Sequence, residues 1–206
     1  MKKLTLPLVF SVLLTVIVFT LTQCTTTEKK TDEAPPAMTP DQQIERGRYM
    51  VNAGGCNDCH TPKKFTDKGP VLNEDLLLSG FPQDEKLPDI DPSEITSGKW
   101  YLGSSGLDAW VGPWGVSFAA NLTPDSLTGT GAWTEELFLK ILHTGKFMGI
   151  ESGRPIMPPM PWQSIGQMSD EDLKAIFAYL RTIKPIRNTV PSYIPPNEIP
   201  AAKKSS

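Results

Sequence analysis

Two thiols and an imidazole stand within five consecutive residues, Cys56-Asn57-Asp58-Cys59-His60. On one helical turn, thiols three residues apart share a face and can reach the two vinyl groups of a single porphyrin as thioethers. A histidine directly after the second thiol is then held beneath the iron as its proximal ligand. The run predicts one covalently attached haem c, with Cys56 and Cys59 as thioether donors and His60 as an iron ligand. Two other uses of the same groups are weaker. Structural zinc sites draw on two separated ligand pairs, and adjacent Cys59 and His60 with a distant His143 fit that poorly. A thioredoxin-type dithiol needs a βαβ setting that the surrounding residues do not supply.

The opposite face of the iron needs its own ligand, and the only other histidine is His143. At 100° per residue it falls opposite Leu137, Phe138, Ile141 and Leu142 on one helix, which predicts a solvent-facing side chain near a helix C-terminus. Methionine is the better candidate. Of the seven methionines, Met1, Met38 and Met50 fall in a leader, before the first helix and inside it; Met148, Met157, Met160 and Met168 remain. Arg154-Pro155-Ile156-Met157-Pro158-Pro159-Met160-Pro161-Trp162 stands out among them. Prolines fix φ and make a stiff strap, which holds a weak thioether ligand at small entropic cost. With three residues per turn, Met157 and Met160 share a face, so geometry alone leaves both open. If neither ligates, the iron is open, and a haem enzyme or a gas-ligand sensor is the competing function.

Three helices would position these groups. Thr39-Pro40-Asp41-Gln42 reads as a capping box with proline at the first helical position, opening a helix over residues 40–52. Ile44, Gly47, Tyr49, Met50 and Val51 would form its buried side, and Gly54-Gly55 would end it just before the thiols. Thr134 caps a second helix that Gly145 stops. Ser169 caps a third over residues 170–183, with Leu173, Ile176, Phe177 and Leu180 at helical spacing. Residues 61–132 read as a long irregular insertion without convincing strands, ordered by Trp100, Tyr101, Trp110, Trp114 and Phe118, whose expected task is shielding the apolar haem faces.

The chain has 206 residues, 39% hydrophobic and 21% charged, the composition of a globular protein. Lys2 and Lys3 precede an apolar run over residues 4–21 that ends in Leu21-Thr22-Gln23-Cys24, so residues 1–23 read as a signal peptide. Cys24 would be the lipidated first residue of a lipoprotein, with an uncleaved membrane anchor as the alternative. Both place the rest on the periplasmic side of a bacterial membrane. Cleavage would remove two lysines and no acid, taking the formal charge from −3 to −5. No basic patch suggests nucleic acid, and a mildly acidic surface leaves a basic redox partner open. Residues 24–38 read as a flexible linker, 39–190 as the domain and 191–206 as a Pro-rich tail.

A capped helix leading into Cys-x-x-Cys-His, a Met-Pro loop and a terminal helix reading Asp172-Leu173-Lys174-Ala175-Ile176-Phe177-Ala178-Tyr179-Leu180 resemble a class I cytochrome c domain. Asn121-Leu122-Thr123-Pro124-Asp125, Thr128-Gly129-Thr130-Gly131-Ala132-Trp133 and Met160-Pro161-Trp162 resemble, more narrowly, the cytochrome c subunits of membrane-associated alcohol, aldehyde and nicotinate-type dehydrogenases. The resemblance implies an all-α fold around one haem and a crossing of the first and last helices near Gly47 and Tyr179. It implies Met160 as distal ligand. It also implies a non-catalytic electron carrier serving a dehydrogenase, a respiratory complex or an oxidase. Many such subunits carry two or three haem motifs, whereas this sequence has one.

Overall fold

A computed structural model describes residues 38–90, 95 and 100–199; the leader, Cys24 and most of the linker lie outside the described residues. Helix α1 spans Pro40–Ala53. Its capping box is complete, with the Gln42 N–H donating to Thr39 Oγ1 at 3.3 Å and the Thr39 N–H to Gln42 Oε1 at 2.9 Å. The short α2, Cys56–His60, follows after Gly54-Gly55, and Gly55 takes the left-handed conformation at φ 68°. Helix α3 is Glu135–Thr144, capped by Thr134 and closed by Gly145 at φ 63°. A single turn, α4, spans Trp162–Ile165. Helix α5, Asp170–Leu180, starts at the Ser169 cap. Among the described residues, no helix is long and apolar enough to cross a membrane.

Helices α1 and α5 form the most extensive helix–helix contact in the fold. Gly47 makes the crossing possible: a Cβ there would overlap the Ala175 carbonyl and lie 2.8 Å from Tyr179 Cβ. Arg46 Nε reaches Asp172 Oδ1 at 2.8 Å across the same seam. Leu173, Ile176, Phe177 and Leu180 of α5 bury against Val51, Leu78, Phe138 and Leu142. The Phe138 and Phe177 rings stack with centroids 5.1 Å apart. Tyr49 corrects the predicted buried face of α1: it is 61% exposed, with the Arg46 guanidinium over its ring.

The all-α expectation also needs correction. Residues 61–132 contain two antiparallel sheets rather than an irregular wrap. Strands β1 (Lys63–Thr66) and β2 (Gly69–Leu72) form a hairpin with Lys63 opposite Leu72. Strands β3 (Leu102–Gly103), β4 (Ala109–Gly112) and β5 (Gly115–Phe118) form a meander. The strands of the meander have two to four residues, and β4 and β5 are largely buried on both faces, so no alternating pattern marks them. A second small core gathers Ile90, Ile95, Val111 and Val116, with Ile194 and Ile199 packed on it. The chain's last described segment is therefore bound to the domain: Ile194 and Val116 exchange backbone hydrogen bonds of 2.8 and 3.0 Å. Tyr101 stacks on Trp110 and Trp114, Phe118 packs edge-on against Phe81, and Trp100 is 73% exposed.

The Gly47→Ala variant should lose about 2 kcal/mol of stability in denaturant titration, because the added methyl meets backbone and not a movable side chain. The gain in helix propensity, about 1 kcal/mol in the opposite direction, is too small to rescue it.

Candidate haem site

Helix α2 carries both thiols and His60. Cys56 packs on the central core, in the cluster that also takes Met160. Burial pushes the Cys56 thiol up to about 11 and raises Cys59 as well, so neither is an activated thiolate at neutral pH. That argues against a dithiol nucleophile, which needs the opposite shift. No disulfide joins Cys56 to Cys59.

His60 is buried, and its Nδ1 lies 2.8 Å from the Ala120 carbonyl. Nδ1–H therefore donates, and the neutral ring presents the Nε2 lone pair to a metal. Burial holds its pKa below the ordinary histidine range; the Ala120 bond opposes this and the nearby Lys63 charge adds to it. Three further bonds fix the helix carrying the ring. Thr61 Oγ1 donates to Asn57 Oδ1 at 2.9 Å and accepts the Leu78 N–H at 2.9 Å, while the Gly80 N–H donates to the His60 carbonyl at 2.8 Å.

The methionine strap is tied down at several points. The Ile156 N–H donates to the Gly145 carbonyl at 2.8 Å, and the Phe147 N–H to the Arg154 carbonyl at 3.0 Å. Ser117 Oγ on β5 donates to the Pro158 carbonyl at 2.6 Å. The Trp162 ring lies against Gly145, leaving no room for a side chain there. Met160 packs on the central core, as Cys56 does, whereas Met157 belongs to neither hydrophobic cluster. Met50 and Met168 also pack on that core as filler.

His143 is exposed, yet both ring nitrogens are engaged: Nδ1 with the Gly166 carbonyl at 2.8 Å and Nε2 with Asp170 Oδ1 at 2.9 Å. It ties α3 to the start of α5 and has no free nitrogen for iron. Among the described residues, no group of three or more His, Cys, Asp or Glu side chains could hold a metal ion, which leaves the zinc alternative without a ligand set. The donor set that remains suits haem. It comprises two thiols on one turn, an imidazole with Nε2 available, and a thioether on a strap anchored to the same core.

Several contributors carried no usable sequence signal. The Ala120 group that orients His60 is a backbone carbonyl, and Ser117 is a lone serine forty-one residues from the proline it holds. Lys63 is the exception. A cation three residues past the end of α2 is the kind of group that caps helix carbonyls, and its Nζ donates to three backbone carbonyls there.

A family model described as cytochrome c matches residues 44–184, more than half of the chain. The chain belongs to the cytochrome c family, whose cofactor is covalently bound haem c. It is similar to a subunit of the nicotinate dehydrogenase of Pseudomonas putida, 27% identical over 72% of this chain and 9% of that protein. Gluconate 2-dehydrogenase cytochrome c subunit of Pantoea cypripedii is 28% identical over 68% of this chain and 23% of that protein. Fructose dehydrogenase cytochrome subunit of Gluconobacter japonicus is 26% identical over 75% and 24%. The chain thus spans a quarter or less of the length of these curated relatives.

The His143 contacts generate a pH dependence. Both bonds, to Gly166 first and then Asp170, favour the imidazolium and raise its pKa above 6.5. A raised folded-state pKa stabilises fully below the unfolded value, and that contribution fades as pH climbs through the folded value. Wild type should therefore exceed His143→Gln in urea midpoint by most near pH 5.5 and by least near pH 9. An equal gap at both pH values would show that the charge is irrelevant.

Proposed function

We propose that this chain is a single-haem electron carrier, its haem bound by Cys56 and Cys59 and ligated by His60 and Met160, and that it serves a dehydrogenase. Haem iron supplies the one-electron Fe(III)/Fe(II) couple, and the protein sets its ligation and environment. The observation that carries the reading is the His60 arrangement: a buried ring on the thiol-bearing helix, with Nδ1 committed to Ala120 and Nε2 left for iron. Met160 is the preferred partner because it packs on the core that also receives Cys56, and Met157 does not. A thioether ligand raises the potential relative to a second imidazole.

The dehydrogenase partnership draws support from three relatives that are each part of a dehydrogenase, two of them named as cytochrome subunits. Transfer onward goes to a respiratory acceptor, through a small and transient contact of the kind redox partners use. The leader places the domain on the periplasmic side of the membrane, held by a lipid on Cys24.

Two measurements test this. Haem staining after denaturing electrophoresis should mark the mature protein, and Cys56→Ala with Cys59→Ala should abolish the stain. Met160→Ala should give a high-spin iron that binds carbon monoxide in the reduced state and titrates at a lower potential. Met157→Ala should do neither. The reverse pattern would move the ligand to Met157, and carbon monoxide binding by the wild type would favour an enzyme or sensor.

A further inference from the structure

We propose that Lys63 is a positioning residue of the haem site: its ammonium clamps the carbonyl end of the attachment helix and raises the reduction potential of the haem. The inference rests on the reading that Cys56, Cys59 and His60 hold that haem.

The last carbonyls of any helix lack intrahelical partners and carry partial negative charge. At the end of α2, Lys63 Nζ donates to the Asp58 carbonyl at 2.8 Å and the Thr61 carbonyl at 2.6 Å, with a longer contact to Asn57 at 3.4 Å. Thr61 adjoins His60, so the clamp closes on the residue next to the iron ligand. The hairpin aims the side chain: Lys63 starts β1 opposite Leu72, and β1 begins three residues after α2 ends.

Its neighbour shows the contrast. Lys64 points outward and pairs with Asp75 at 2.9 Å, an exposed ion pair of the ordinary surface type. Lys63 touches carbonyls instead, and partial burial lowers its pKa, with Asp108, Cys59 and Asp58 pulling the other way. A cation partly withdrawn from water needs hydrogen-bond acceptors, and these carbonyls supply them. The hydrogen bonds fix the ammonium beside α2, where it is only partly exposed to solvent, and a fixed positive charge there disfavours Fe(III), the more positive state, against Fe(II). The one-electron couple moves no proton, so the effect is a shift of equilibrium alone.

The test uses the full chain with haem attached, titrated against redox mediators and followed by absorbance. Lys63→Met removes both the bonds and the charge. Lys63→Gln removes the charge and keeps an N–H donor on a side chain one atom shorter, and Lys63→Arg keeps the charge. At the wild-type midpoint, the Met and Gln variants should show the ferrous-to-ferric ratio reduced at least twofold, a tenfold change being 59 mV for one electron. The Arg variant and the surface control Lys64→Gln should stay within twofold of wild type. If the Gln and Met variants stain for haem yet titrate with wild type, Lys63 is a helix cap only and the proposal fails. A shift of equal size in Lys64→Gln would also overturn it, by reducing the effect to overall charge. If Lys63→Met yields no holoprotein, Lys63→Gln decides. Absence of haem from the wild type would instead remove the functional reading, a separate outcome.

Discussion

The close crossing of α1 and α5 is the constraint on which the rest of the structure depends. Interhelical distance is set by the side chains at the contact, and a glycine at Gly47 lets the Ala175 carbonyl lie directly against the α1 backbone. That approach buries the apolar stripe of α5 against Val51, Leu78 and Phe138, and it fixes where α1 ends. Only two glycines separate that end from Cys56. The position of the thiols is thus inherited from the crossing. Met160 and Cys56 both pack on the core that this stripe helps to form.

What holds the segment around Ala120 is a different kind of force. It is not a strand in a ladder. The Ala119 N–H donates to the Asp108 carbonyl and the Leu122 N–H to the Leu78 carbonyl, and the Ala119 carbonyl accepts the Phe81 N–H. Side-chain amides add to these backbone bonds. Asn121 Nδ2 donates to the Ile186 carbonyl at 2.8 Å, and its Oδ1 accepts from the Thr123 N–H at 3.0 Å and hydroxyl at 2.7 Å. Asn188 Nδ2 donates to the Ser79 carbonyl at 2.7 Å and the Phe81 carbonyl at 2.9 Å, and its Oδ1 accepts the Gln83 N–H at 2.8 Å. Among the side-chain nitrogens and oxygens of the described residues, only Asn73 Oδ1 is buried without a partner. Buried amides with every bond made tie residues 79–83, 119–123 and 186–189 together. The Ala120 carbonyl that sets the His60 tautomer is carried by this network and not by regular secondary structure.

The three long helices were legible because each signal is local. Thr39, Thr134 and Ser169 are caps whose oxygens meet N–H groups three residues on, and the i, i+3, i+4 stripe of α5 needs no partner to be read. The last helix stops at Leu180, three residues before the expected end, where Arg181–Ile183 turn instead. Tyr49 was misplaced because an aromatic on a half-buried helix reads as core from sequence, while Arg46 beside it offers a surface contact. The strands of the meander were invisible because a stretch of four residues or fewer, largely buried on both faces, has no period.

The sequence by itself determined the attachment motif, since two thiols three residues apart and a histidine directly after the second are properties of contiguous residues. It also determined the helix boundaries near that run. Only the tertiary structure decided that Met160 and not Met157 packs on the core that takes Cys56, which carbonyl orients His60, and that His143 is tied to Gly166 and Asp170. The reason is physical: local signals act over three or four residues, whereas the hydrogen bonds of His60 and His143 join residues 23 to 60 positions apart in the chain. A chain's long-range contacts exist only after packing has brought its elements together, and no spacing within the sequence records them.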